Sequence, residues 1–214
     1  MTNAEKALIA LLILAFLLSK ADIKALAVLI LTARIASMKA AYSQANGAIG
    51  IDDTSWEPDA ELQSMAKSAS EQDAESIAST YKDDLEAVAT AFVLAWMLDH
   101  ESLDGAESAA RKEIAAWAIA RAEWKSKQIA DFTCGSGAND GIEMWIGDFL
   151  DGDLDLPDGI TEDDVEVEIQ PEESSSDFCK NYAGQRFALD DDSVPDFPAH
   201  IGCIHRKTIV LKDS

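Results

Sequence analysis

CGSGANDG, residues 134–141, is the stretch on which the reading of the fold turns. Three glycines, a serine and an Asn-Asp-Gly run within eight residues read as a loop, because glycine weakens a helix and Asp-Gly favours a turn. Everything before it is patterned as helix, and the sequence after it is mixed. The sequence therefore predicts an α+β protein: a mostly helical N-terminal part with long apolar helices, then a small α+β C-terminal module. Residues 1–50 form an apolar helical arm, 51–132 a helical region, and 133–214 the module.

Upstream, alanine-, leucine- and isoleucine-rich sequence from about residue 4 to 46 predicts one long helix, or two joined near Ser19–Asp22, ending at NGAIG where Asn46 and Gly47 are stop residues. DDTSWEPD (52–59) is a linker. Helical periodicity resumes from Asp59 to about His100, and again from Asp104 or Ala106 to about Phe132, carrying Ile114, Trp117, Ile119 and Trp124.

Downstream, IEMWIGDFL (142–150) reads as a short helix and DGDLDLPDGITEDD (151–164) as an acidic loop. VEVEIQ (165–170) alternates with period two and reads as a strand, as does KTIVLK (207–212). The segments between them, PEESSSD, AGQRF and DDDSVPDFPAH, are turn-rich. No internal repeat, P-loop, Rossmann or HExxH pattern is present.

Charge divides the chain in a different way. Its 48% hydrophobic content supports a core without crosslinks, and its net charge is −23. Five basic and two acidic residues leave +3 on the first 50 residues, so −26 falls on the rest. Such an acidic body repels phosphate, which argues against tight DNA binding. ALIALLILAFLL (7–18) imitates a signal peptide, but only Lys6 precedes it as a basic residue. Lys20, Asp22 and Lys24 interrupt any span approaching the roughly 20 residues that a bilayer requires. A helix apolar on all sides must be buried somewhere, and burial in protein contacts is the favoured reading over membrane insertion.

Three cysteines at wide spacing fit a reducing compartment better than a disulfide framework. Two of them lie with two histidines near the C-terminus: Cys179, His200, Cys203 and His205 make a candidate zinc set, since zinc favours tetrahedral nitrogen and sulfur donors. The spacing is not that of a standard finger, because Tyr182 stands where a second cysteine would be. The alternative is a buried Cys203 with histidines bonded to backbone. In the acidic loop, Asp151, Asp153, Asp155 and Glu162 occupy positions 1, 3, 5 and 12 of an EF-hand calcium loop, but Leu156 and Pro157 replace the turn glycine and the residue after it, and a strand follows instead of a helix. A solvated acidic loop is the simpler reading. No cofactor is required by either pattern, and a Cys-His nucleophilic pair lacks an identifiable third group.

Taken in order, IARAEWKSKQIA (119–130), ANDGIEMWI (138–146), DFCKNYAGQRFAL (177–189) and VPDFPAHIGCIH (194–205) resemble the C-terminal domain of phage Mu F-like minor head proteins, also called head morphogenesis proteins. Arg121 and Glu123 match its first motif, Asn139 and Gly141 lie near its second, Cys179, Gly184 and Phe187 match its third, and Pro198, His200, Cys203 and His205 its last. Ala122 and Tyr182 depart from the pattern, and an acidic insertion separates Trp145 from Cys179. The resemblance implies a structural, non-enzymatic virion component of a tailed phage, made in the bacterial cytoplasm and built in multiple copies into the head near the portal. Its role there would be in head assembly, genome packaging or delivery. With it, residues 1–46 become the surface that docks on portal or capsid protein. A metal-dependent zinc or calcium binding module anchored by the apolar N-terminal helix is the alternative.

Overall fold

A computed structural model describes residues 1–170, 177–197, 203 and 205–212. It is 69% helical with one small antiparallel sheet, the α+β composition that the sequence predicts. Helices α1 (Asn3–Phe16), α2 (Lys20–Ala48), α3 (Ala60–Asp99) and α4 (Ala106–Asp151) come first, followed by a 3-10 turn (Glu162–Asp164), strand β1 (Val165–Ile169), helix α5 (Asp177–Tyr182), and strands β2 (Arg186–Ala188) and β3 (Lys207–Leu211).

The arm is two helices, and local chemistry separates them. Thr2 and Glu5 form a reciprocal capping box at the start of α1. Ser19 and Asp22 do the same for α2, with the Asp22 carboxylate accepting from the Ser19 backbone at 2.9 Å. Its hydrogen bonds from Ser19 hold that carboxyl below its ordinary pKa. Leu17, between the two helices, is extended.

The chain folds into two compact units, one of Met1–Leu29 with Ser68–Ser126, the other of Ile30–Lys67 with Lys127–Ser214. The divisions between these units fall inside α2, α3 and α4. In the first unit, Ile9 and Leu12 of α1 pack with Leu85, Ala89 and Val93 of α3 and Ala110 and Ile114 of α4. An ion pair between Asp84 and Arg121 also joins α3 to α4. The chain itself thus covers one side of α1, whereas Leu11, Leu14 and Leu17 stay exposed.

In the second unit the expected loop at 134–141 is helix. So are the residues on either side, and the separate short helix expected at 142–150 is the last part of the 46-residue α4. Two of its glycines, Gly137 and Gly141, serve packing instead of turning. A Cβ at Gly137 would lie 2.4 Å from the Arg34 carbonyl oxygen, and one at Gly141 would lie 2.3 Å from that of Met38. The backbones of α2 and α4 approach so closely that only glycine fits, and the packing outweighs the roughly 1 kcal/mol that each glycine costs in helix propensity.

The core around this crossing takes Tyr42, Ala45 and Ile49 from α2, Ile142, Trp145 and Phe149 from α4, and Val165, Val167 and Ile209 from the sheet. Asn46, expected as a helix stop, lies within α2. Its buried side chain accepts from Trp145 Nε1 at 2.8 Å and donates to the Asp53 carbonyl at 2.9 Å.

The sheet runs β2-β1-β3, antiparallel throughout, with Val167 opposite Phe187 on one side and Ile209 on the other. Val165, Val167 and Ile169 face inward while Glu166 and Glu168 are partly exposed, which is the alternation visible in VEVEI. Both expected strands are present. Strand β2 and helix α5 arise in sequence whose turn residues hide them.

Candidate metal centre

Two connections bring distant residues to the Ile169 end of the central strand β1. On one side α5 carries Cys179. Its last turn closes with Ala183 N–H donating to the Cys179 carbonyl at 3.1 Å, and Gly184 follows with φ of +76°, the left-handed conformation that ends helices on glycine. Gly184 N–H donates to the Ile169 carbonyl at 2.7 Å and starts the pairing of β2 with β1. On the other side Cys203 and His205 lead into β3, whose first residue, Lys207, is opposite Ile169.

The result is a buried cluster. Cys179, Cys203 and His205 are at most 1% exposed, and their potential ligand atoms all lie within 4.8 Å of one another. Cys179 Sγ is 3.5 Å from Cys203 Sγ, and Cys203 Sγ is 3.9 Å from His205 Nδ1. The sulfur separation is far beyond the roughly 2.05 Å of a disulfide, so the two thiols are unlinked. Ile169 and Phe197 complete the core here, with Tyr182, Phe187 and Val194 against it. Phe197 stacks on the His205 imidazole with ring centroids 5.7 Å apart.

Helix α4 braces this end of the sheet through Asn139, a buried residue whose amide nitrogen donates to the Phe197 carbonyl at 2.6 Å and whose oxygen accepts from Lys207 N–H at 2.7 Å. One side chain therefore ties down both segments that flank Cys203 and His205. Lys207 also pairs its buried amine with Glu143. Asp140, on the same helix, is pushed above its ordinary pKa by burial; Arg34 and Lys207 oppose that shift and Glu143 reinforces it.

The structure thus unites three of the four residues that the sequence singles out for zinc; His200 lies outside the described residues, as does Pro198 of the same motif. Asp151, Asp153, Asp155 and Glu162 are not brought together: among the described residues, Cys179, Cys203 and His205 form the one metal-capable group of three or more such side chains. Asp151 is the last residue of α4, Glu162 opens the 3-10 turn, and Leu156 and Pro157 lie between them. Cys203 is 1% exposed, and His200, the histidine three residues before it, lies outside the described residues.

Sequence reasoning missed Asn139 as the brace, because its Asn-Asp-Gly setting imitates a turn. It also missed a groove of about 590 Å³ in the first unit, lined by Phe92, Trp96 and Trp117 with Asp99, His100 and Glu113. There Trp96 stacks on His100 at 3.8 Å, an i,i+4 pair at the end of α3. Among the described residues, no helix is long and apolar enough to cross a membrane. No protein-family model matches the chain, and comparison with curated proteins and with solved structures finds no match either.

Proposed function

We propose that this chain is a structural protein of a tailed-phage particle, a minor head protein that acts near the portal in head assembly, genome packaging or delivery. The observation that supports this reading is the convergence of the last two of the four stretches carrying the resemblance. Cys179 from DFCKNYAGQRF and Cys203 and His205 from the closing motif meet at one end of β1, although 24 residues separate the two cysteines. Gly184 and Phe187, the other matching residues of the third motif, supply the helix stop and the β2 position opposite Val167. Each of these five residues has a physical task in one small module.

The apolar N-terminal helices supply the docking surface in this reading. Leu11, Leu14 and Leu17 of the arm and Val28 and Leu29 of α2 are exposed, apolar side chains that a partner could cover. Lys6, Lys20 and Lys24 lie along the same segments and give the docking surface a mildly basic edge.

Mass spectrometry of purified particles of the phage that encodes the chain tests the proposal. The expected result is the full-length chain at a constant ratio to portal protein, retained through a density gradient. A chain abundant in the lysate but absent from particles would refute it. If that protein also floated with lipid vesicles, the metal-dependent module anchored by its apolar helix would take its place.

A further inference from the structure

We infer that Cys179, Cys203 and His205 are three ligands of one structural zinc ion that locks the C-terminal sheet to α5. The inference stands on the cluster's own geometry and does not depend on the chain being a virion protein. With zinc–sulfur bonds near 2.3 Å and zinc–nitrogen bonds near 2.05 Å, a tetrahedral site puts two sulfurs about 3.8 Å apart and a sulfur and a nitrogen about 3.6 Å apart. The sulfur–sulfur separation here is 3.5 Å and that from Cys203 Sγ to His205 Nδ1 is 3.9 Å, each within about 0.3 Å of those values, and the Cys179–His205 separation is at most 4.8 Å, so the three donors lie close enough to share one ion.

Donor chemistry points the same way. Thiolate sulfur and imidazole nitrogen select zinc over the hard cations calcium and magnesium, which require oxygen. Charge balance permits burial: two thiolates and a neutral imidazole around a divalent cation sum to zero. A net-neutral site avoids the large cost of placing uncompensated charge in a pocket walled by Ile169, Phe197, Tyr182 and Phe187.

The surrounding structure already holds the donors in place. Cys179 is fixed by α5 and the Gly184 stop, His205 by its stack on Phe197, and both flanks of the Cys203–His205 segment by Asn139. Metal-site precision comes from such supports, which fix ring and thiolate orientation before the ion arrives. These three donors, the ones found among the described residues, leave one tetrahedral position for a further nitrogen or oxygen donor.

The test is metal analysis of the full-length protein purified without chelator, together with zinc-edge X-ray absorption. The expected content is one zinc per chain, with a first shell of two sulfurs and two nitrogen or oxygen atoms. Cys179→Ser, Cys203→Ser and His205→Ala should each lower zinc content at least tenfold. Cys134→Ser, whose thiol lies outside the cluster, should leave it unchanged, and His205→Cys should keep metal with a third sulfur in the shell. Since the alanine and serine variants can fail to fold, the wild-type stoichiometry and the His205→Cys spectrum carry the decision. Wild-type protein that takes up less than a tenth of an equivalent from excess zinc, or an ion without sulfur ligands, overturns the inference. So does a Cys179–Cys203 disulfide as the stable form under reducing purification.

Discussion

The two units solve the same problem, burial of apolar surface, with different materials. The first is made of helical segments held by alanine, leucine and valine. Most of the large apolar side chains left exposed among the described residues belong to it, including Leu14, Leu29, Leu98, Ile119 and Trp124. Among the described residues, most of the buried polar side chains belong to the second, including Asn46, Thr133, Asn139, His205 and Lys207. Hydrophobic contact is non-directional and tolerates several arrangements, whereas a buried hydrogen bond or ligand set accepts one. The first unit thus leaves apolar side chains exposed among the described residues, whereas the second specifies a single internal geometry.

The largest expected effect breaks the second unit alone. Removing zinc with a chelator, or replacing Cys203 by serine, should lower the melting temperature of that unit by about 10 °C or more, since bound metal contributes its binding free energy to the folded state. Differential scanning calorimetry reads this as one shifted transition, with the transition of the first unit in place. Equal shifts in both would show that the two units unfold together and that the contrast is not thermodynamic.

Next in size is a pair of substitutions in α1. Leu12 is fully buried and Leu14 is 72% exposed, so Leu12→Ala should cost about 2–5 kcal/mol while Leu14→Asp stays within about 0.5 kcal/mol. Denaturant unfolding measures both. If Leu14 belongs to a docking face, Leu14→Asp should nevertheless abolish incorporation into particles. Unchanged incorporation removes this part of α1 from the docking surface.

A smaller effect, of opposite sign at two sites in one helix, sharpens the account of α4. Gly141→Ala pushes a Cβ against the Met38 carbonyl and should destabilise by about 1–3 kcal/mol despite alanine's better helix propensity. At Gly147 nothing lies within 4 Å of the added carbon, and Gly147→Ala should stabilise by about 0.5–1 kcal/mol. Equilibrium unfolding of both variants decides whether the glycines of residues 134–141 are there for helix packing.

The smallest expected effect is an absence of binding. With −26 beyond residue 50, the full-length protein should show no micromolar binding to duplex DNA near physiological salt, because affinity there comes from neutralised phosphates. Micromolar binding that falls steeply with added salt would make DNA anchoring the function to examine.

Much of the fold was legible in local pattern. The sequence located the possible junction at Ser19–Asp22 but left one helix or two open, and the structure settles it as two, with a capping box between those residues starting α2. VEVEI announced β1 because alternation follows directly from the pleat. Cys179, Cys203 and His205 stood out as a candidate set because few side chains bind metal at all. Their actual meeting needed α5 and β3 to arrive at the same end of β1, and that depends on pairing between segments far apart in sequence.

By itself the sequence determined the helical N-terminal part, two of the three strands, the acidic body and the identity of the candidate ligands, all of which rest on periodicity, charge and residue chemistry. Only the tertiary structure decided what the glycines of CGSGANDG do. Glycine lowers helix propensity by an amount that local sequence alone reveals, but the close approach of α2 at Arg34 and Met38 outweighs it, and that neighbour lies about a hundred residues away. The same dependence explains Asn139: its side chain is a turn former or a brace according to what stands opposite, and here Phe197 and Lys207 stand opposite.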